Sequence, residues 1–204
     1  MNEYIRFYPS PAGRLAMVSD GQSLNALLLQ KEAEEMKPEE TRDNVPAEAE
    51  RIFRVTGLWL DEYFAGRYCG NPKPAAVMEQ GGSPQRIYEL EAGNDCIRLC
   101  PKGSVFRQEV WKLLCEIPYG ETTTYGEIAV QMAGLRGVKK MSAQAVGGAV
   151  GHNPISIIIP CHRVVGGDGS LVGYGGGMSV KVQLLKLEEM DMSRFTIPTK
   201  GTKL

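Results

Sequence analysis

The sequence lacks the features of several large classes of protein. No apolar run approaches the ~18 residues that a membrane span needs, and the N-terminus "MNEYIRFYPSP" has no basic-then-apolar signal pattern. The cysteines are odd in number, with no CxxC pair and no Cys/His cluster at zinc-ligand spacing. "GYGGG" lacks the Lys-Ser/Thr ending of a phosphate loop. We therefore expect a cytoplasmic protein with reduced thiols, no metal, no cofactor and no membrane partner.

An excess of charge of either sign is also missing. The chain has 23 Lys/Arg and 24 Asp/Glu in 204 residues, and its apolar fraction of 43% is ordinary for a globular protein. The charges are unevenly divided, because residues 1–100 carry 11 basic and 16 acidic side chains, whereas residues 101–204 carry 12 and 8. This asymmetry permits a C-terminal half that binds a polyanion but does not require one.

The first hundred residues alternate between strand and helix patterns. Residues 4–32 indicate two short strands around a Pro/Gly turn, and apolar residues at helical spacing predict a helix from Ala47 to Phe64. Residues 65–86 are rich in Gly and Pro without a clear period, which favours a surface loop or insertion. A short strand, "DCIRLC", precedes a boundary that we place between residues 100 and 101.

Beyond the boundary the pattern is mainly helical. The first helix has Ser104 as a plausible N-cap, the second is capped by a Thr with Glu127 in its first turn, and the third is "SAQAVGGAVGHN". Two short helices with a compact connection fit either a helix-turn-helix or a plain helical hairpin. The third helix is rich in Ala and Gly, which allow a backbone to approach another surface closely. A last helix, "SVKVQLLKLEEM", precedes a tail expected to be frayed.

The stretch "PISIIIPCHRVVGG" carries the main chemical signal. Cys161 stands at the exit of an apolar, strand-like run and is followed at once by His162 and Arg163. A thiolate needs a positive or proton-accepting neighbour, but successive residues of a strand point to opposite faces, so contact between Cys161 and His162 is not guaranteed. On these residues alone, Cys161 is either an inert buried thiol or a nucleophile.

Several motifs together resemble one family. The run "NPISIIIPCHRVVGGDGSLVGYGGG", with "FRQEVWKLL", "IPYGETTTYGEIA", "AVGGA" and the closing "LLKLE", resembles the O6-alkylguanine-DNA alkyltransferases over residues 104–188. The N-terminal half is similar in its strand-turn-strand opening and its "LWLDEYFAG" helix. The resemblance implies an α+β protein: a small α/β, ribonuclease-H-like domain (residues 1–100) and a mainly helical domain (residues 101–204) with a helix-turn-helix.

The resemblance also implies a reaction. The family's cysteine thiolate takes the alkyl group from guanine O6 irreversibly, so one molecule repairs one lesion, and O4-alkylthymine is left open as a second substrate. The match places the alkyl acceptor at Cys161. His162 falls on the histidine that draws the thiol proton through a water, Glu188 on the carboxylate that holds it, Tyr125 on the tyrosine that protonates the leaving base, and Asn153 on the hinge asparagine.

By the same resemblance the partner is double-stranded DNA, entered through the minor groove by a monomer that flips out the lesion. The implied substrate and DNA contacts are Gln144, Ala145, Val164, Tyr174, Gly175 and Lys181. Gln144 replaces the arginine that many members insert into the base stack, and it offers no charge. Lys139 and Lys140 belong to a long connection that either contacts phosphate or is solvated.

Two alternatives from other classes remain. One is a non-enzymatic sensor of alkylated bases, which the presence of Cys161 disfavours, and the other is a helix-turn-helix regulator with a reactive thiol. For the residues outside the motif we expect structural or incidental roles: Arg163 paired with a C-terminal carboxylate, His152 on the surface, Trp111 and Phe106 in the core, and no chemistry at Cys69, Cys96, Cys100 or Cys115.

Overall fold

The computed structural model describes residues 3–36, 44–67, 70–80 and 83–197. Its N-terminal part contains a six-stranded sheet in the order β1-β2-β3-β6-β5-β4. Strands β3 and β6 are parallel, and the other neighbours are antiparallel. The strands are β1 (Tyr4–Ser10), β2 (Gly13–Ser19), β3 (Leu24–Leu29), β4 (Lys73–Gln80), β5 (Ser83–Ala92) and β6 (Asp95–Leu99).

The opening segment forms three strands where the sequence predicted two. The Asp20 carboxylate accepts hydrogen bonds from the backbone N–H groups of Gln22 and Ser23, each at 2.9 Å. This Asx turn reverses the chain. Residues 24–29 therefore form a separate strand, β3, in the middle of the sheet.

Two helices accompany the sheet. Helix α1 spans Gln30–Glu35 and helix α2 spans Ala47–Phe64, the latter with the bounds that the apolar spacing predicts. The buried face of α2 includes Ile52, Val55, Trp59 and Tyr63. That face packs against β1, β2, β5 and β6.

Of the two alternatives predicted for residues 65–86, a surface loop or an insertion, the loop is wrong for the described residues from 73 onward. Residues 73–80 form β4 and residues from 83 onward form β5, paired from Lys73–Glu89 to Gln80–Ser83. Strand β4 lies at the edge of the sheet, where a proline such as Pro74 is tolerated because one side of the strand makes no ladder hydrogen bonds. The Gly and Pro content therefore concealed a hairpin whose outer strand is mostly exposed.

The C-terminal part is mainly helical, as predicted. Its helices are α3 (Val105–Cys115), α4 (Tyr125–Leu135), α5 (Ala143–Gly151) and α6 (Met178–Leu187), and a small parallel pair joins β7 (Thr123–Thr124) to β8 (Val164–Val165). Ser104 caps α3, and Thr124 forms a capping box with Glu127 at the start of α4. Trp111 is fully buried and Phe106 packs against the core.

One hydrophobic core runs through both parts of the chain. Its buried cluster contains Leu27 and Trp59 from the N-terminal part together with Trp111, Ile155 and Cys161 from the C-terminal part. A backbone bridge crosses the predicted boundary as well, since Leu27 N–H donates to the Pro154 carbonyl at 2.8 Å and Ser156 N–H donates to the Leu27 carbonyl at 3.1 Å. The division at residue 100 stays a prediction, while the parts on either side of it pack as one body.

The remaining expectations concern Cys69, the C-terminal tail, membrane spans and metal sites. Cys69 and residues 198–204 of the expected frayed tail lie outside the described residues. Within the described ranges, no helix is long and apolar enough to cross a membrane. The same ranges contain no group of three or more His, Cys, Asp or Glu side chains arranged to hold a metal ion.

Candidate active site

The segment before Cys161 is a series of tight turns, so its prediction as a strand is wrong. Ile159 N–H donates to the Ile155 carbonyl at 3.0 Å, and Cys161 N–H donates to the Ile159 carbonyl at 2.8 Å. Ile157 has a φ of 69°, a left-handed conformation that is rare for a β-branched residue. The run is apolar because residues 155–160 are all buried, and burial rather than strand pairing explains its composition.

Asn153 holds this turn together from inside. Its side-chain oxygen accepts from Ile155 N–H at 3.1 Å, and its Nδ2 donates to the Ile159 carbonyl at 2.8 Å. The same Nδ2 lies 3.1 Å from the sulfur of Cys161. One amide therefore fixes both the turn and the position of the thiol.

Cys161 opens a short 3-10 helix, Cys161–Arg163, which follows Pro160. Its side chain is only 6% exposed. Burial raises the pKa of the Cys161 thiol, whereas the Asn153 amide and the Lys181 ammonium act in the opposite direction. The resting thiol is therefore protonated, and it requires a base before it can act as a nucleophile.

His162, Arg163 and Glu188 form a buried network. His162 Nε2 lies 2.7 Å from Glu188 Oε1, and the Arg163 guanidinium donates to both carboxylate oxygens at 2.8 and 3.0 Å. The His162 and Arg163 contacts lower the pKa of Glu188 to about 2 against the effect of burial, so this carboxylate is ionised. The structure thus brings together His162 and Glu188, and it gives Arg163 the carboxylate partner expected for it.

The carboxylate also selects the tautomer of His162. An ionised Glu188 accepts a hydrogen bond, so His162 carries its proton on Nε2, and Nδ1 presents a lone pair. Nδ1 is buried and has no hydrogen-bond partner among the described residues. Burial lowers the pKa of His162, which keeps the imidazole neutral at rest. The ring is therefore prepared to accept a proton at Nδ1.

Tyr125 and Lys181 hold the loop on the other side of the thiol. Both donate to the Val172 carbonyl, Tyr125 from its hydroxyl at 3.1 Å and Lys181 from Nζ at 3.0 Å. Lys181 also donates to the Val164 carbonyl at 2.6 Å. The Lys181 side chain is fully buried, so it supports the loop and β8 and does not offer its charge to a phosphate at the surface.

The other predicted contacts divide between a pocket and a helix end. Val164 is buried in β8, Tyr174 is 9% exposed with its ring edge-on to His162, and Gly175 is exposed beside it. Gln144 and Ala145 are exposed in the first turn of α5. His152 is exposed at the C-terminal end of α5, as expected.

Helices α4 and α5 pack against each other and form the helix-turn-helix that the sequence predicts. An open groove of about 960 Å³ runs between α4, the connection and the start of α5, and its lining includes Lys139, Lys140 and Gln144. Gly147 faces Tyr125, since a Cβ at this glycine would lie 3.7 Å from the tyrosine ring. The small residues of α5 thus leave an open outer surface and a close inner contact with the site.

Sequence reasoning missed two residues near the network. Tyr63 of α2 donates to Glu188 Oε1 at 2.8 Å, and Asn71 accepts from Arg163 Nη1 at 2.8 Å. The helical spacing of Tyr63 indicates only a core position, and Asn71 falls in the stretch interpreted as a loop. No local sequence signal marks either side chain as a neighbour of Glu188.

Comparisons with known proteins cover both parts of the chain. Residues 105–190 match the family described as 6-O-methylguanine DNA methyltransferase, DNA binding domain, and residues 4–68 match its ribonuclease-like domain. A methylated-DNA–protein-cysteine methyltransferase from Haemophilus influenzae is 39% identical over 188 residues, which is 92% of this chain and 87% of that protein. A protein of the same name from Mycobacterium bovis is 56% identical over 127 residues, or 62% of this chain and 74% of that one.

The fold has solved relatives as well. The crystal structure of Mycobacterium tuberculosis OGT in complex with DNA has a TM-score of 0.66 and 35% identity, over 94% of each chain. That of the Mycobacterium tuberculosis O6-methylguanine methyltransferase has a TM-score of 0.65 and 35% identity, over 97% of this chain and 96% of that one. The similarity therefore extends over nearly the whole chain.

Proposed function

The chain belongs to the 6-O-methylguanine DNA methyltransferase family, and from this premise we propose that it repairs DNA by moving an alkyl group from guanine O6 to the sulfur of Cys161. The observation that carries the proposal is the arrangement around this sulfur. A buried thiol, which accepts a hydrogen bond from Asn153, precedes a histidine whose free nitrogen is prepared by Glu188. An inert core cysteine needs neither group.

The first step is loss of the thiol proton to Nδ1 of His162. The imidazolium that forms is stabilised by the negative charge of Glu188 at 2.7 Å. The thiolate is stabilised by the Asn153 amide and by the Lys181 ammonium, both of which favour a negative sulfur. Burial makes these contacts stronger than they would be in water.

In the second step the sulfur attacks the alkyl carbon. A C–S bond forms as the bond between carbon and O6 breaks, and the electron pair of that bond remains with the guanine. Burial raises the pKa of Tyr125 to about 12, so the phenol stays protonated and can donate to the base as negative charge develops. The products are a thioether at Cys161 and unmodified guanine.

The chain binds DNA, and we propose that α5 contacts the minor groove. The outer face of α5 presents Gln144, Ala145 and Gly148 to solvent, which permits close approach to a groove floor. A thiol that is 6% exposed cannot reach a base inside the duplex, so the nucleotide must be flipped out, at roughly a few kcal/mol. Val164, Tyr174 and Gly175 border the space that receives the base, and one copy of the chain contains every group named.

Intact mass provides the test. Incubation with a duplex carrying O6-methylguanine should add one methyl group to the protein and none to Cys161→Ser. No gain by the wild-type protein under reducing conditions would contradict alkyl transfer. A parallel incubation with O4-methylthymine duplex tests the second substrate.

A helix-turn-helix regulator would behave differently in DNA binding. Phosphate and groove contacts without base readout give weak, salt-sensitive and nearly sequence-independent binding of undamaged duplex. We expect that behaviour. Discrimination of ~10³ or more between undamaged sequences would favour the regulator.

A further inference from the structure

A side chain from the N-terminal part of the chain enters the network around Glu188. Tyr63 lies on α2 and is 1% exposed. Its hydroxyl donates to Glu188 Oε1 at 2.8 Å and lies 3.4 Å from His162 Nε2. We propose that Tyr63 is a positioning residue for alkyl transfer, which holds Glu188 and tunes the carboxylate oxygen that His162 uses. This inference rests on the proposed function.

The two oxygens of Glu188 have different partners. Oε2 accepts from Arg163 Nε at 2.8 Å and from the backbone N–H of Gly120 at 3.2 Å. Oε1 accepts from Arg163 Nη2, from Tyr63 and from His162. Tyr63 therefore shares with His162 the oxygen that stabilises the imidazolium, which makes its effect on the reaction direct.

The tyrosine ring is fixed independently of its hydroxyl. It stacks on Trp59 with ring centroids 5.2 Å apart, and it meets Phe64 and Tyr119 edge-on. Replacement by phenylalanine retains this packing. Glu188 Oε1 also keeps two donors, so no buried acceptor is left unsatisfied. The substitution therefore isolates one hydrogen bond.

The direction of the effect follows from charge. A donor on Oε1 withdraws negative charge from His162, so its removal strengthens the carboxylate and favours the pair of imidazolium and thiolate. The other groups near this pair are unchanged by the substitution. They are Arg163 on the 3-10 helix, Lys181 on α6, Tyr174 on the loop after β8 and Tyr125 on α4.

The N-terminal part contributes to the other member of the ion pair too. Asn71 Nδ2 donates to the carbonyls of Cys115 at 2.8 Å and Ile117 at 2.7 Å, and its oxygen accepts from Arg163 Nη1 at 2.8 Å. Asn71 thus orients Arg163 while Tyr63 orients Glu188. The N-terminal part of the chain in this way completes the site as well as supporting it.

The experiment is a single-turnover pH–rate profile with free O6-benzylguanine, which needs no DNA binding. The full chain is compared with Tyr63→Phe and with the matched control Tyr88→Phe, a buried tyrosine whose hydroxyl has no partner among the described residues. Because loss of this donor makes His162 more basic, we expect Tyr63→Phe to shift the acid limb up by about half a pH unit to one unit. The pair of imidazolium and thiolate is then more populated above the limb, so the plateau of Tyr63→Phe should rise by roughly three- to tenfold.

The profiles of Tyr63→Phe and the wild type should therefore nearly coincide below the limb and separate above it, and that of Tyr88→Phe should follow the wild type. An unshifted acid limb in Tyr63→Phe, or an equal loss at every pH, would overturn the role of Tyr63. If Tyr63→Phe folds poorly, 3,5-difluorotyrosine at position 63 supplies a stronger donor and should move the limb the other way; no movement would also overturn the inference. Failure of the wild-type protein to gain a methyl group from the O6-methylguanine duplex would instead refute the proposed function.

Discussion

Removing the amide of Asn153 should separate the chemistry of Cys161 from the stability of the fold. The amide donates to the sulfur at 3.1 Å and to the Ile159 carbonyl at 2.8 Å, and it accepts from Ile155 N–H at 3.1 Å. Asn153→Ala removes these contacts and the longer one from Nδ2 to the Ile155 carbonyl at 3.4 Å. Asn153→Asp keeps an oxygen for Ile155 but offers no donor and adds a negative charge beside the sulfur.

The magnitudes follow from these contacts. A hydrogen bond to a charged group contributes about 1.5–3 kcal/mol, so losing it should raise the pKa of the thiol by about one to two units at 1.36 kcal/mol per unit. Below that pKa, Asn153→Ala should react roughly 3- to 10-fold more slowly than the wild type, because the more basic thiolate is a stronger nucleophile and offsets about half of the loss in thiolate population. The Ile155 N–H is left without its partner, which should cost about 1–3 kcal/mol in the free energy of unfolding, whereas the Ile159 carbonyl still accepts from Cys161 N–H.

Single-turnover alkylation by O6-benzylguanine between about pH 6 and pH 10, combined with urea unfolding, provides the assay. The deficit of Asn153→Ala should shrink as pH rises, because the thiolate then forms without help. Asn153→Asp should be the slower of the two at neutral pH and the more stable. A deficit of Asn153→Ala that is the same at every pH would refute the assignment of this hydrogen bond to thiolate stabilisation.

Three further predictions concern DNA, acid and the buried ion pair. Gln144→Arg should speed repair of duplex DNA by roughly two- to fivefold, which is the contribution of an exposed cation–π contact, and Gln144→Ala should slow it. In single-turnover assays neither substitution should change the reaction with free O6-benzylguanine. Equal losses on both substrates in Gln144→Ala would contradict a role in the base stack. The lowered pKa of Glu188, about 2 against an ordinary 4.5, adds stability above pH 4.5 that is lost as pH falls toward 2, about 3 kcal/mol in all. The lowered pKa of His162 causes a further loss of stability, which begins as pH falls below the ordinary value of 6.5. Urea unfolding at several pH values should show both losses. If Glu188→Gln had the same pH dependence as the wild type, the contribution of Glu188 would be disproved. Arg163→Lys should lower the free energy of unfolding by about 3 kcal/mol, because a lysine cannot make the contacts with Glu188, Asn71 and Ile117 together. A loss below about 1 kcal/mol in urea unfolding would contradict this prediction.

Helices α2 to α6 could be predicted because their signals are local. Apolar spacing gives α2 its bounds, and the caps Ser104 and Thr124 mark the starts of α3 and α4. The turns at residues 155–160 could not be predicted in this way. An apolar run has the same composition whether it pairs as a strand or folds back around an amide such as Asn153, and only the tertiary contacts decide.

The site was accessible from sequence only through the resemblance to the family. Residues 153–163 lie close together in the chain, but Glu188 is 25 residues from Arg163, and Tyr63 is 125 residues from Glu188. Contacts at such separations depend on how the sheet and helices pack, which a local pattern does not contain. A tyrosine at a core position has the same local signature whether its hydroxyl meets a carboxylate or nothing.

The burial of Cys161 has a consequence for a protein that is consumed by its own reaction. Oxidants and soft electrophiles attack accessible thiolates, and Cys161 is neither accessible nor ionised at rest, whereas Cys96 is exposed. Every molecule whose Cys161 reacted by accident would be lost to repair. Shielding of this thiol therefore preserves repair capacity until an alkylated base brings its own electrophilic carbon to the sulfur.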